Sequence, residues 1–141
     1  MKKFKLNQKF KHWPGKTITE SDNNLFCLVT QNSHPLHIDK NFAKKTQFKK
    51  RVVVGTYVFS LVVGLTVKDI SMNAIANLNY SNVNHLAPTF IGDTLYAKSE
   101  IIEIKKSRKD SKKKIIKIKT VAFNQNNKNI LEFQREILIK N

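Results

Sequence analysis

The longest apolar run, at residues 52–67 and broken by two glycines and two threonines, constrains the fold of this chain more than any other feature. It falls short of the roughly 20 residues that a membrane-spanning helix needs. From Thr56 onward it is apolar on all sides of a helical projection, which is typical of a helix that other structure surrounds. Its valines favour a strand, but a length of about twelve residues favours a helix. We therefore predict a long buried helix after Gly55.

Four strand-like runs fill the second half of the chain, at residues 74–83, 92–103, 114–124 and 130–139. Polar and apolar residues alternate within the last two, so one sheet face should be exposed and the other covered. The asparagine-rich stretch 126–129 predicts the turn between them. These patterns predict an α+β fold in which one antiparallel sheet wraps around the buried helix. A chain of 141 residues fits a single domain over 1–141.

The first half is predicted to hold an extended segment and short helices. Residues 4–18 alternate loosely and include Trp13-Pro14-Gly15, which is a turn signal. Thr19 and Asp22 have the spacing of a helix cap, and the apolar positions 25, 26, 28 and 29 then form the stripe of a helix of about ten residues. A short helical turn is expected at 39–44.

The chain carries a formal net charge of +16, and almost all of its cations are lysines. Such a positive field attracts anions, so nucleic acid, an acidic membrane surface or a small polyphosphate ligand are candidate partners. The scarcity of arginine argues against a nucleic-acid reader. The densest cluster, at 105–114, lies between two predicted strands and is expected to be a solvated hairpin tip. No apolar segment of a signal peptide follows residues 1–5, so a cytoplasmic protein is expected.

Residues 32–39 read Asn-Ser-His-Pro-Leu-His-Ile-Asp. Pro35 fixes its own backbone and keeps His34 out of the helical region, so His37 is held at a set distance from Asn32. A catalytic site requires such rigid placement of a polar group. A loop with a buried, hydrogen-bonded histidine is the alternative that this string leaves open.

Few other residues suggest chemistry. Gly55 would leave the backbone amides of the predicted helix free to hold negative charge. Cys27 is interpreted as a core residue, because a nucleophilic role would need a base, for which His34 is the candidate. His12 and His85 are interpreted as ordinary polar positions, and residues 92–94 as a turn. The spacing of His, Cys, Asp and Glu predicts no metal site, and there is no glycine-rich phosphate loop.

Three stretches resemble the MaoC-like dehydratases of the hotdog fold, a family that includes the (R)-specific enoyl-CoA hydratases. They are the string at 32–39, residues 52–55 leading into the long helix, and residues 79–83 with 88–95. Their order and separation are similar to those of the family across nearly the whole chain. The string Asn-Ser-His-Pro-Leu-His looks closest to the branch that acts on branched dicarboxylic acyl-CoAs, such as mesaconyl-, methylmalyl- or itaconyl-CoA.

The resemblance implies water addition to a 2-enoyl-CoA thioester, or the reverse reaction, with CoA as part of the substrate and no other cofactor. The catalytic histidine of the family falls on His37, and the glycine whose N–H holds the thioester oxygen falls on Gly55. The catalytic aspartate of the family falls on Asn32, which cannot transfer protons but can position a water. A serine found near the site in some members falls on Val63.

The resemblance also implies further contacts and partners. His34 and Asp39 are candidates for the role that Asn32 cannot fill, and together with Val54 they are the predicted substrate-binding residues. Hotdog proteins generally pair, so a homodimer or higher homo-oligomer is expected. An acyl-CoA thioesterase and a non-catalytic protein that binds acyl-CoA or nucleic acid are the alternative functions.

Overall fold

The computed structural model describes residues 4–140. Its strands are β1 (Lys9–Thr17), β2 (Ala76–His85), β3 (Thr94–Lys106), β4 (Lys113–Phe123) and β5 (Asn129–Lys140). Its helices are α1 (Glu20–Thr30), α2 (Pro35–Ile38), α3 (Lys40–Lys45) and α4 (Gly55–Thr66), and a π-helical turn follows at Val67–Ser71. No helix in this part of the chain is long and apolar enough to cross a membrane. The expectation about a signal peptide rests on residues 1–5, of which 1–3 lie outside the described residues.

The strands form one antiparallel sheet in the order β1-β3-β4-β5-β2. The four strands predicted in the second half are confirmed, with ends that shift by a few residues. The predicted extended segment becomes β1, at one edge of the sheet. Trp13-Pro14-Gly15 lies inside β1, where the pairing shifts between His12 and Lys16, and does not form a turn. An edge strand tolerates proline because its outer N–H groups have no strand to pair with.

The predicted long helix is α4, and it packs on one face of the sheet. Val58 and Val62 are 2% and 0% exposed, and they share a core cluster with Leu95, Leu131 and Phe133 of β3 and β5. Burying an aliphatic or aromatic side chain of this kind stabilises a fold by about 1.5–3 kcal/mol. The helix and the sheet therefore hold each other in place, and the start of α4 is fixed relative to the sheet.

Helix α1 begins as predicted, but the face that it turns toward the core is not the predicted one. The Thr19 hydroxyl accepts a hydrogen bond from Asp22 N at 3.1 Å, and the Asp22 carboxylate accepts one from Thr19 N at 2.8 Å, which completes a capping box. The buried residues of α1 are Asn23 and Cys27. The apolar stripe predicted for this helix is largely exposed: Leu25 is 61%, Leu28 75% and Val29 68% accessible. The inner face is therefore narrower and more polar than the sequence suggested.

His12 is a second correction, because it is a buried residue and not an ordinary polar one. Its side chain is 2% exposed, with Nδ1 2.9 Å from Asp69 Oδ2 and Nε2 2.8 Å from Ser99 Oγ. Ser99 Oγ in turn lies 2.8 Å from Thr120 Oγ1. This chain of hydrogen bonds joins β1 and the π-helical turn to the middle of the sheet.

The turns predicted at residues 92–94, 126–129 and in the basic cluster at 105–114 are confirmed. Gly92 has φ = +95°, a conformation that favours glycine, and its N–H donates to Ile18 O at 2.8 Å. The turn between β4 and β5 places Asn127 at φ = +57°. The basic cluster forms the end of the β3–β4 hairpin, where Ser107 N donates to Lys113 O at 3.0 Å. These turns bring β3, β4 and β5 into register beside α4.

Candidate active site

The string at 32–39 folds into a loop and the short helix α2. Asn32 Oδ1 accepts a hydrogen bond from His34 N at 3.2 Å, and His34 Nδ1 accepts one from Leu36 N at 3.2 Å. Pro35 occupies the first turn of α2, where its missing N–H costs no hydrogen bond. The polar side chains before the proline therefore shape the backbone that carries His37.

Asp39 separates α2 from α3 and caps the second helix. Its Oδ1 accepts hydrogen bonds from Asn41 N at 2.8 Å and from Phe42 N at 3.0 Å. The short helix predicted at 39–44 is thereby confirmed as α3. The substrate-binding roles of His34 and Asp39 stay predictions, because the contacts that these side chains make in the structure are local helix caps.

His37 is held in one tautomer by the backbone. Its Nδ1 lies 2.7 Å from Val52 O. A carbonyl oxygen can only accept, so Nδ1 carries the proton, and Nε2 of the neutral ring keeps its lone pair. Nε2 has no hydrogen-bond partner among residues 4–140. This nitrogen is therefore available to take a proton from a bound water or substrate.

Asn23 ties the two halves of the site together, and sequence reasoning did not identify it. It is fully buried in α1. Its Nδ2 donates to His37 O at 3.1 Å, and its Oδ1 accepts from Val54 N at 3.1 Å. The one usable signal in the sequence was an asparagine inside a helix, a position that this residue type disfavours unless its side chain has partners.

Gly55 begins α4, directly after Val54. No side chain of the described residues caps this helix. The first N–H groups of a helix have no partner within the helix, and they carry partial positive charge. Asn23 holds the backbone of Val54 through its N–H, so the next residue, Gly55, starts from an anchored position. Gly55 lines an open cleft, and its oxyanion-holding role stays a prediction.

The cleft has a volume of about 370 Å³ and brings His37 and Gly55 together. Most of its other lining residues are apolar. Neither Asn32 nor Val63 belongs to the described lining; Val63 is half-buried and packs against the core cluster. The lining residues are His37, Phe48, Val52, Val53, Gly55, Val58, His85, Leu86, Ala87, Pro88 and Thr89.

His85, which the sequence predicts to be an ordinary polar residue, lies in the cleft wall. A Cβ atom added to Gly55 would lie 3.1 Å from Cε1 and 3.2 Å from Nε2 of His85. The imidazole therefore lies directly against the first residue of α4. The sequence offered a weak signal, because His85 immediately precedes the Leu-Ala-Pro-Thr stretch that also lines the cleft.

Cys27 is confirmed as a buried residue. Burial raises the pKa of its thiol, which disfavours the thiolate that a nucleophile would need. Burial outweighs the opposite effect of the nearby Arg51 charge, so the balance argues against the alternative role as a nucleophile.

A lysine-rich groove adjoins the cleft, and we call it the basic groove. Its lining residues are Glu20, Lys40, Lys44, Lys49, Lys50, Arg51, Phe90 and Ile91. The loop that contributes Lys49, Lys50 and Arg51 continues directly into the cleft wall at Val52, which forms an isolated β-bridge with Phe90. Lys50 Nζ lies 4.2 Å from the centre of the Phe90 ring. Arg51 pairs with Glu20 and lowers the pKa of that carboxyl, with a smaller contribution from Lys40. The lysines of the groove exceed its acidic charge.

Sequence comparison finds two relatives that match nearly the whole of this chain. The β-methylmalyl-CoA dehydratase of Chloroflexus aurantiacus is 33% identical over 97% of this chain, and the mesaconyl-CoA hydratase of Cereibacter sphaeroides is 29% identical over 97%. The chain spans 39% and 40% of the lengths of these two relatives.

Solved structures show the same fold. A putative MaoC domain dehydratase from Chloroflexus aurantiacus superposes with a TM-score of 0.92 at 32% identity, over 98% of this chain and 39% of that one. A Mycobacterium tuberculosis protein described as a double hotdog fold gives a TM-score of 0.87 at 17% identity, over 97% of this chain and 42% of that one, which confirms the predicted hotdog fold. The family described as "MaoC like domain" matches residues 3–123. This chain therefore belongs to the MaoC-like domain family.

Proposed function

We propose that the protein is an acyl-CoA hydratase or dehydratase, which adds water to a 2-enoyl-CoA thioester or removes it from the 3-hydroxyacyl product. The observation that carries this proposal is the shared cleft of His37 and Gly55. One supplies an imidazole nitrogen with a free lone pair, and the other a backbone amide at the start of a helix. Hydration needs both a base for water and a stabiliser for the enolate oxygen.

His37 is the base in this proposal. The Val52 carbonyl keeps the proton on Nδ1, so Nε2 accepts the proton of a water that attacks C3 of the substrate. The thioester oxygen lies at the Gly55 amide, where the helix dipole stabilises the negative charge that develops during the attack. The apolar wall residues Phe48, Leu86 and Pro88 border the space for the acyl chain.

Asn32 has an indirect role in this proposal and does not contact the substrate. It cannot accept or return a proton, and its Oδ1 holds the His34 amide at 3.2 Å. Its role is to shape the loop that presents His37, so the reaction needs a proton donor other than the residue at position 32. The reaction requires no cofactor beyond the CoA of the substrate.

Branched dicarboxylic acyl-CoAs are the substrates that we place first. The printed names of two relatives, β-methylmalyl-CoA dehydratase and mesaconyl-CoA hydratase, support this choice. Because the chain spans about two-fifths of those relatives, the whole activity remains a proposal for this protein.

Turnover of a panel of enoyl-CoAs tests the proposal. Crotonyl-, mesaconyl- and itaconyl-CoA are incubated with the protein, and loss of the conjugated double bond and release of free thiol are followed together. We expect enoyl absorbance to fall without thiol release, and we expect His37→Ala to reduce kcat by about 10²–10⁴-fold. Thiol release would instead identify a thioesterase, and binding without turnover would identify a non-catalytic acyl-CoA protein.

We also propose that the protein forms a homodimer through β2. This strand lies at a sheet edge and exposes apolar side chains, with Leu78 45%, Tyr80 39% and Val83 40% accessible. An exposed apolar edge strand tends to pair with another chain. Sedimentation equilibrium should give twice the 16.3 kDa mass of the chain, and a mass of one chain would reject the dimer.

A further inference from the structure

We propose that His85 is the second proton-transfer residue of this site and supplies the proton that Asn32 cannot. This inference rests on the proposed hydratase function. His85 and His37 line the same cleft, and Gly55, which would hold the thioester oxygen, also lines it and is packed against the His85 ring. Two imidazoles are therefore placed around one candidate reaction centre.

The sheet fixes the position of His85. It is the last residue of β2, where it pairs with Leu131 of β5. The next residue continues the contact, because Leu86 N donates to Ile130 O at 2.7 Å. Leu131 and Ile130 are 0% and 1% exposed, so His85 extends from a backbone that is anchored to the core. A rigid element of this kind can place a catalytic side chain accurately.

The ring of His85 is also chemically available. All four histidines lie within residues 4–140, and the other three use at least one ring nitrogen in a hydrogen bond. Neither ring nitrogen of His85 has a hydrogen-bond partner among the described residues. Its edge lies 3.1–3.2 Å from the position that a Gly55 Cβ would occupy. Both nitrogens are therefore free to meet substrate beside Gly55.

The proposed division of roles balances the reaction. As water attacks C3, its O–H bond breaks and the proton passes to His37 Nε2. The C2=C3 electron pair moves toward C1, which leaves an enolate oxygen at the Gly55 amide. The enolate pair then forms the C2–H bond with a proton from protonated His85. His85 ends neutral and His37 ends protonated, and one proton moves from His37 to His85 through solvent before the next turnover.

A competing role for His85 is tested by the same experiment. A protonated imidazole could bind the distal carboxylate of a dicarboxylic substrate and take no part in proton transfer. Crotonyl-CoA has no such carboxylate, whereas mesaconyl-CoA has one. A carboxylate-binding residue would therefore affect KM for mesaconyl-CoA alone, and a proton donor would affect kcat for both substrates.

The experiment compares His85→Gln with the wild type across pH. Glutamine keeps hydrogen-bonding capacity but cannot be protonated near neutrality. We expect kcat to fall about 10²-fold or more for both substrates, with KM changed less than about threefold. If His85 is the general acid, the alkaline decline of the wild-type rate should disappear in His85→Gln, because glutamine cannot donate a proton in the reaction. Asn84→Ala, the preceding residue on β2 with its side chain near Asn82 and Glu132, should keep the wild-type rate and pH profile.

The outcomes separate the inference from the proposed function. An active wild type with an unchanged His85→Gln profile would overturn the role of His85 and leave the hydratase standing. An effect on KM for mesaconyl-CoA alone would also overturn it, in favour of carboxylate binding. A wild type without turnover on any enoyl-CoA would overturn the proposed function and this inference with it. Far-ultraviolet circular dichroism and crotonyl-CoA binding by calorimetry establish that His85→Gln is folded and can still bind.

Discussion

Asn23 shows how one buried side chain can set the geometry of a site. It donates to His37 O at 3.1 Å and accepts from Val54 N at 3.1 Å, so one amide fixes the histidine loop and the residue before Gly55. An amide side chain has both a donor and an acceptor, which lets it satisfy both groups at once. No other property of α1 connects it to the proposed chemistry as directly.

Replacing Asn23 should therefore damage both stability and activity. In Asn23→Ala the buried His37 carbonyl and Val54 amide lose their partner, which should lower the free energy of unfolding by about 1–3 kcal/mol. We expect kcat for enoyl-CoA to fall more than tenfold because His37 and Gly55 lose their fixed separation. Urea unfolding and steady-state kinetics measure the two effects.

The matched control is Asn24→Ala, one residue further along α1 at an exposed position. It removes the same chemical group without touching the site, so both measurements should stay close to the wild type. Equal losses in the two variants would show that Asn23 matters only for the helix and not for the site.

At this scale the sequence predicted His37 and Gly55 but not Asn23 or His85. The first two lie in strings whose spacing carries information, Asn-Ser-His-Pro-Leu-His and Val-Val-Val-Gly. The other two acquire their positions through long-range packing: Asn23 meets a residue 31 positions away, and His85 reaches Gly55 only because β2 ends beside α4. Local patterns cannot reveal contacts of that range.

Helix α1 offers a test of how its first turn stabilises the site. Asp22 accepts hydrogen bonds from Lys16 Nζ at 2.7 Å and Thr19 N at 2.8 Å, which lowers the pKa of its carboxyl to about 2. A carboxyl with a lowered pKa stabilises the fold above its ordinary pKa of 3.8, and this contribution is lost as pH falls toward about 2.

Asp22→Asn should therefore be less stable than the wild type at pH 6, by about 1 kcal/mol, because the side chain is partly exposed and its ion pair is weakened by solvent. The difference should shrink as pH falls from about 4 to 2, since the wild-type carboxyl is then protonated as well. Thermal or urea unfolding at several pH values measures it. A difference that is constant over this range would show that the charge of Asp22 contributes nothing.

The type of each helix or strand could be predicted from the sequence, but which of its side chains are buried was harder to predict. Alternation in β5 correctly predicted an inner row with Leu131, Phe133 and Ile137, yet the fully buried Arg135 lies in the same row. Its Nη2 donates to Thr66 Oγ1 at 2.8 Å, at the end of α4. A hydrophobic pattern cannot foresee a buried cation whose partner comes from another element. The same limit applies to α1, whose apolar stripe is largely exposed although its sequence pattern predicts a buried one.

The charge of the whole molecule becomes interpretable once the basic groove is located. A net charge of +16 attracts any anion, but the groove concentrates lysines beside the candidate active site, and the other dense cluster lies at the tip of the β3–β4 hairpin. A field from the whole surface raises the rate of encounter, whereas local cations determine where a bound phosphate rests. We therefore expect the nucleotide phosphates of CoA to bind in the basic groove.

Removing two of its lysines tests this placement. In the double variant Lys49→Ala/Lys50→Ala, KM for an enoyl-CoA should rise about fivefold to tenfold, because each exposed ion pair contributes up to about 1 kcal/mol. KM for the matching pantetheine thioester, which lacks the nucleotide, should not change. The matched control Lys109→Ala/Lys112→Ala at the hairpin tip lowers the net charge equally, from +16 to +14 (16 − 2), and should leave KM nearly unaltered. If both double variants raise KM equally, the overall field and not the groove attracts the substrate. The rise in KM of the Lys49→Ala/Lys50→Ala variant should also be smaller at high salt, where exposed charges are screened.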